Sequence, residues 1–319
     1  MTFDVKRFLS LEMGLGLRAS EHLIRTAPER YKRYRIPKRT GGWREIAHPA
    51  RELKVIQKAL VDKLLINLPV HPAATAYVSG SSIRINATRH AENGPIMKYD
   101  FKDFFPSITS LSWINYCAKH DICEHSDAIA LARLLFARAP RASILRLSIG
   151  APSSPVLSNI LMYDFDRRIA EQVGKEAVTY TRYADDMTFS AKRTGYLNSV
   201  DKLLRATIAT ISSPKLKINE SKTVTATRKY HRQVTGLILT NDYRVSLGRD
   251  RKRTIRAALH HFKTNKLSID ESVKLAGHMA FAKDVEPEFY TRMERVYGTG
   301  TLEKLKTTVT RYRRPAFRD

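Results

Sequence analysis

Three carboxylates carry the chemistry that this chain could do. Asp100 closes the apolar run Ile96-Met97-Lys98-Tyr99, and Asp185 and Asp186 stand side by side in Tyr183-Ala184-Asp185-Asp186-Met187, between two hydrophobic stretches. Short, stiff Asp side chains offer hard oxygen ligands to Mg²⁺. Two such ions about 4 Å apart stabilise both the attacking and the leaving oxygens of a phosphoryl transfer. Addition of a nucleotide to a strand is a transfer of this kind. The carbonyl of Phe101, beside Asp100, is a natural further ligand. Asp pairs are also common in plain turns, where they bond to their own backbone. Two adjacent acids between hydrophobic strands are nevertheless a poor structural choice in a chain this basic.

Cationic side chains suited to phosphate lie elsewhere. Lys38, Arg39 and Arg44 sit on one hairpin, where a guanidinium clamps phosphate bidentately and Lys adds a point charge. Trp43 is expected to anchor the strand that carries Arg44. The competing reading is a solvated hairpin whose charges only aid solubility. Lys222, in Leu216-Lys217-Ile218-Asn219-Glu220-Ser221-Lys222, is placed to protonate a leaving pyrophosphate or is an ordinary surface lysine. Asp103 is expected to cap a turn. Asp164 and Asp166 beside Arg167 and Arg168 read as a solvated salt-bridge face.

Local signals supply the elements that hold these groups. Residues 5–30 and 50–67 have helical apolar spacing. Tyr34–Pro37 and Trp43–Ala47 flank Gly41-Gly42 as a hairpin with a basic tip. A strand over 96–100 leads into a helix N-capped by Ser107. Further helices are expected over 126–137, 154–173 and 197–211, with strands at 178–183, 187–191, 216–218 and 234–239. The chain from about Arg249 reads as helical. Interleaved helices and hairpin-linked strands predict an α+β architecture.

Composition narrows the partners. The chain has 319 residues, 56 Lys and Arg against 31 Asp and Glu, and a net charge of +25. Nucleic acid is the commonest acidic partner of such a protein, because phosphate neutralisation releases counterions. No membrane-length apolar run, signal peptide or lipidation motif stands out, so the expected setting is the cytoplasm, with no membrane partner. Cys117 and Cys123 are the only cysteines and have no metal-binding spacing.

Tyr183-Ala184-Asp185-Asp186 resembles the aromatic-x-Asp-Asp box of reverse transcriptases, and Asp100-Phe101-Lys102-Asp103-Phe104-Phe105-Pro106-Ser107 the box that carries their first catalytic acid. Gly150-Ala151-Pro152-Ser153-Ser154-Pro155, followed by Ser158-Asn159, is similar to the box between them. The likeness runs from about residue 31 to 240. Asn86-Ala87-Thr88-Arg89-His90 and Val234-Thr235-Gly236 resemble elements of retron reverse transcriptases, which narrows the family.

The resemblance implies a right-hand polymerase fold: N-terminal helices and fingers over 1–95, an antiparallel-sheet palm over 96–245 with fingers elements inserted at about 111–147, and a mostly helical, basic thumb over 246–319. It implies an RNA-directed DNA polymerase that copies a structured non-coding RNA into single-stranded DNA. Priming from an internal 2′-OH leaves a branched product. It also implies two Mg²⁺ ions, with Mn²⁺ as the substitute, dNTP substrates, and a role in anti-phage defence with an effector protein encoded nearby. On this likeness Phe105 lies under the incoming sugar and selects deoxynucleotides. Gly150 and Ala151 lie at the nucleotide, and Asn86, His90, Val234, Thr235 and Gly236 at the nucleic acid. One departure is Ile149, where related enzymes have Gln before the glycine.

From Arg244 to Asp319 there are 18 Lys and Arg against 9 Asp and Glu. Arg249, Arg251, Lys252, Arg253 and Arg256 form the densest cluster, expected to grip a duplex by its phosphates or to recognise an RNA stem by shape and 2′-OH groups, the competing reading being a solvated charged face. Tyr312 with Arg311, Arg313 and Arg314 makes a terminal patch suited to stacking. The alternatives are a group II intron-type reverse transcriptase, which normally carries further segments, an RNA polymerase, against which Phe105 argues, and an RNA-binding scaffold that restrains an effector.

Overall fold

The computed structural model describes residues 2–38, 41–211 and 213–313, the side chains of 311–313 excepted. Arg39 and Arg314 lie outside the described residues, as do the side chains of Arg311, Tyr312 and Arg313. Where the sequence predicts one helix over 5–30, two form, α1 (Val5–Met13) and α2 (Leu17–Thr26). Gly14 ends the first at φ 64°, its N–H bonded back to the Ser10 carbonyl. The basic hairpin follows as β1 (Tyr31–Pro37) and β2 (Trp43–Pro49), paired antiparallel from Tyr31↔Pro49 to Pro37↔Trp43. Trp43 is 63% exposed, so it does not anchor the hairpin in the core. Then come α3 (Arg51–Lys63) and α4 (Ile83–Ala91).

The strand that ends in Asp100 is β3 (Ile96–Asp100). A short turn of helix follows, α5 (Phe104–Ser107), then α6 (Ser110–Lys119) and α7 (His125–Leu135). Ser107 is therefore not an N-cap: it closes α5, and its hydroxyl donates to the Phe104 carbonyl at 2.6 Å. After the small pair β4 (Ala137–Arg138) and β5 (Leu145–Arg146), the helix expected over 154–173 is split at Met162 into α8 (Ser154–Leu161) and α9 (Tyr163–Gly174). Next are β6 (Thr179–Tyr183), β7 (Asp186–Ser190), α10 (Val200–Thr210) and β8 (Val224–Ala226). The segment 216–218 forms no strand and makes a single bridge, Ile218 to Phe101.

The strands order as β6-β7-β3-β8. Register is set by aromatic packing. Phe189 on β7 meets Tyr99 of β3 edge-on at 5.8 Å and stacks on Tyr180 of β6 at 4.9 Å. A slip of one residue would turn every side chain to the opposite face, these rings and the acids together. Around them Trp113, Phe136, Phe165 and Phe104 fill a core in which Trp113 and Phe136 are 0% exposed. A buried ring of this kind contributes about 3 kcal/mol.

Two compact units result, Met1–Ser81 with Pro95–Thr225, and Ser82–Gly94 with Ala226–Asp319. This division differs from the three-part partition drawn from the sequence. The hairpin and the sheet share one unit, and residues 226–245 together with α4 join the helical tail. The second unit contains β9 (Gln233–Val234), β10 (Leu237–Leu239) and β11 (Val245–Ser246), a three-stranded sheet against which α4 packs. It ends in α11 (Arg249–Lys263), α12 (Ile269–Val285), α13 (Pro287–Tyr297) and α14 (Thr299–Arg313). Its polar centre is Arg232, 1% exposed, which donates to the carbonyls of Asn93, Gly94, Leu239 and Thr240. Among the described residues no helix is long and apolar enough to cross a membrane.

His90 in α4 is fully buried, and burial, with the charge of Arg89, pushes its pKa down to about 3. The unfolded chain accepts this proton near pH 6.5, whereas the folded chain refuses it until far lower. Stability therefore falls as pH drops below 6.5, by about 1.4 kcal/mol per pH unit from this group. Urea unfolding between pH 6.5 and 4 is expected to show a slope shallower by about one proton in His90→Gln. An unchanged slope would remove His90 from the account.

Candidate active site

The hairpin β6–β7 turns on Ala184 and Asp185, with Tyr183 paired to Asp186. On the other side of β7, Asp186 lies directly opposite Asp100. The Phe101 N–H donates to the Asp185 carbonyl at 3.1 Å, which ties the strand end to the turn. Three carboxylates thus meet at one end of the sheet. Like charges directly opposed across strands are destabilising. Burial, then the charge of Asp100, pushes the Asp185 pKa up, opposed by Lys222 and Arg44. Burial and the Asp185 carboxylate push Asp186 up as well.

Lys222 answers part of this charge. Its Nζ donates to both oxygens of Asp100 at 2.9 Å, and that bond raises the ammonium pKa. The Asn219 amide donates to the same carboxylate at 3.3 Å. Among the described residues no group of three or more His, Cys, Asp and Glu side chains is gathered around one metal position. The donor set still fits divalent cations: three hard carboxylates, one buried and two half-buried, whose mutual repulsion a bound cation would relieve. Phe101 keeps its ring buried, 5.8 Å from and nearly parallel to that of Phe104, so only its backbone is available to a ligand.

A buried ionic network holds the turn. Arg182 and Asp166 are both 0% exposed and form a two-pronged pair, Nε to Oδ1 at 2.8 Å and Nη2 to Oδ2 at 2.6 Å. The Tyr180 hydroxyl donates to the same carboxylate at 2.8 Å. Arg182 Nη1 donates to the Ala184 carbonyl at 3.0 Å and to Asn159 Oδ1 at 3.2 Å. Ala184 has φ 57°, a conformation that costs a residue with a Cβ about 1 kcal/mol and that this contact helps to hold. Asp166 therefore does not belong to a solvated face. Asp164 does, paired with Lys119 at 2.5 Å. Asp103 occupies the N-cap position of α5 at φ 48°, yet its carboxylate makes no capping bond.

The loop before α8 approaches the basic hairpin. The Ala47 N–H donates to the Ile149 carbonyl at 2.9 Å, so Ile149 serves the contact through its backbone. Gly150 has φ +124°, and a Cβ there would lie 3.1 Å from the Ala47 carbonyl oxygen and 3.2 Å from Ile46 Cγ2. Gly150→Ala is expected to cost about 2 kcal/mol and about 5 °C in melting temperature. A variant that melts like the parent would contradict this close approach of the loop to the hairpin. Ala151 is buried, and Phe105 is half-buried beside Phe104. Lys38 and Arg44 are exposed, and Arg44 is near enough to act on Asp185.

In the second unit Asn86, His90 and Val234 are 1%, 0% and 0% exposed. All three side chains, expected from the resemblance at the nucleic acid, are enclosed by packing in this structure. Thr235 and Gly236 form the turn between β9 and β10, and the Thr235 hydroxyl donates to the Ile83 carbonyl at 3.2 Å. Lys252 is committed to Glu286 at 2.5 Å, and Arg251 lies over the Phe281 ring at 5.1 Å. Arg249, Arg253 and Arg256 are exposed. The sequence reading missed the buried pair of Asp166 and Arg182 that holds the turn. An arginine within a buried strand was the available signal, since it requires a buried carboxylate.

A family model described as reverse transcriptase (RNA-dependent DNA polymerase) matches residues 36–257. Retron Ec83 reverse transcriptase of Escherichia coli is 37% identical over 89% of this chain and 92% of its own length. Retron Ec73 reverse transcriptase of the same organism is 34% identical over 86% and 89%. Among solved structures, telomerase from Candida albicans, in complex with a fragment of telomeric RNA, aligns with TM-score 0.46 and 14% identity over 88% of this chain and 59% of that one.

Proposed function

This chain belongs to the reverse transcriptase family and, within it, to the retron reverse transcriptases; on that premise we propose that Asp100, Asp185 and Asp186 are its reaction centre. The protein is an RNA-directed DNA polymerase. The observation that carries the assignment is the register: Asp100 opposite Asp186, with Asp185 one residue away on the turn.

In the proposed reaction a strand hydroxyl attacks the α-phosphorus of a dNTP, a phosphodiester bond forms and pyrophosphate leaves. The three carboxylates and the Phe101 carbonyl would hold two Mg²⁺ ions, with Mn²⁺ able to substitute. When bound, these supply Lewis acidity to the attacking hydroxyl and to the leaving oxygen. Lys38 and Arg44, with Arg39, orient the triphosphate from the hairpin, and Gly150 and Ala151 bound the nucleotide pocket. The Phe105 ring fills the space that a 2′-OH would need. Lys222, already beside Asp100, delivers a proton to the departing pyrophosphate. Arg249, Arg253 and Arg256 contact nucleic-acid phosphates.

The template is a structured non-coding RNA copied into single-stranded DNA from an internal 2′-OH, so the product is branched. The setting is anti-phage defence in the cytoplasm, with an effector encoded nearby. Expression of the chain with its flanking genomic DNA, followed by extraction of small nucleic acids, tests this reading. A discrete RNA-linked single-stranded DNA is expected, and none with Asp185→Asn combined with Asp186→Asn. Its persistence in that variant would move the reaction centre elsewhere.

A further inference from the structure

Tyr77 combines three features that folding alone does not explain. Its backbone has φ 61°, a region where a bulky side chain is a true outlier. Its side chain is 48% exposed, so the strained position secures little burial. The segment before it is fastened to the strand that leads into the catalytic turn. Ala74 bridges Arg182 in parallel, the Arg182 N–H donates to the Ala73 carbonyl at 2.8 Å, and the Thr75 N–H to the Arg182 carbonyl at 2.8 Å. The Thr75 hydroxyl reaches the same carbonyl at 3.1 Å, and the Asn159 amide donates to the Ala76 carbonyl at 2.7 Å.

Because Arg182 is followed directly by Tyr183, Ala184 and Asp185, this stitching delivers Tyr77 to the side of the turn. Its hydroxyl senses the place: burial first, then the charge of Asp185, pushes its pKa up. Strained residues held by an over-determined surrounding cluster at functional sites. Here the strain leaves the aromatic residue half exposed, directly after a segment stitched to the strand that runs into the turn of Asp185.

We propose that Tyr77 is a stacking platform for the nucleotide that bears the attacking hydroxyl. That hydroxyl must come within reach of Asp185, so the base of its nucleotide lies over the neighbouring surface, and a flat exposed ring accepts any base there. Loss of a base's stacking on an aromatic ring weakens binding on the order of tenfold. The inference rests on the assignment of the reaction centre to Asp100, Asp185 and Asp186.

The probe is a fluorescein-labelled DNA primer annealed to an RNA template with a recessed 3′ end, bound to the full chain. Tyr77→Ala is expected to raise its Kd about tenfold and to leave the KM for dNTP within about twofold. Tyr77→Phe, which keeps the ring, is expected to restore Kd to within about twofold of the parent. Tyr77→Gly accepts φ 61° without strain, so it should bind as weakly as Tyr77→Ala yet melt no lower than the parent.

An unchanged Kd in Tyr77→Ala overturns the proposal, and so does a rise in dNTP KM in its place. A fall of several degrees in Tyr77→Gly overturns it too, since the ring would then be a packing contact. Asp185→Asn serves as the separate control. Primer extension by that variant would sink the reaction centre, whereas a failure confined to the Tyr77 variants would leave the centre intact.

Discussion

Asp185→Asn is expected to reduce primer extension by about a thousandfold and, at the same time, to raise the melting temperature measured without divalent metal. A thousandfold is about 4 kcal/mol of transition-state stabilisation, of the order a metal ligand supplies. The rise follows from the sign of the pKa shift. Folding pushes the Asp185 pKa up, so its charged form opposes folding near pH 7, and a neutral isostere removes the repulsion with Asp100. Added Mg²⁺ should stabilise the parent and do so less for the variant. Extension above a tenth of the parental rate, or a lower melting temperature, would argue against a cation site at this turn.

The second large effect lies below the acids. Asp166→Ala would leave the Arg182 guanidinium buried and unpaired, at a cost of about 3–5 kcal/mol. For a protein of this size the melting temperature should fall by about 10 °C. Replacing the whole pair, Asp166→Leu with Arg182→Met, should recover much of the stability, because an apolar pair of similar volume often serves as well. It should not recover DNA synthesis, since Ala184 and Asn159 would lose the donor that fixes the turn. Differential scanning fluorimetry alongside primer extension separates the two. A double variant as active as the parent would make the network purely structural.

These two sites were unequally legible in the sequence. Asp100, Asp185 and Asp186 announced themselves because alternating strands leave few places for adjacent acids, and register follows from that alternation. The basic hairpin was legible for a similar reason, two glycines between short strands. Asp166 was misread because acid-base neighbours on a helix are usually solvated, and only the packing of α9 on β6 places it against Arg182. Asn86 and His90 were read as contacts with nucleic acid, yet tertiary packing encloses both. The break at Met162 carries no glycine or proline to mark it. Tyr77 belongs to no periodic pattern, and its role depends on a bridge to a residue far along the chain.

The inclusion of Ser82–Gly94 in the C-terminal unit has a consequence for the newborn chain. On the ribosome α4 emerges long before the strands around Val234 that complete its surroundings. At a synthesis rate of roughly 5–20 residues per second, the wait is on the order of ten seconds. Throughout that interval an early piece of polypeptide stays without its final neighbours, and a transcript cut short after the first unit would strand it permanently.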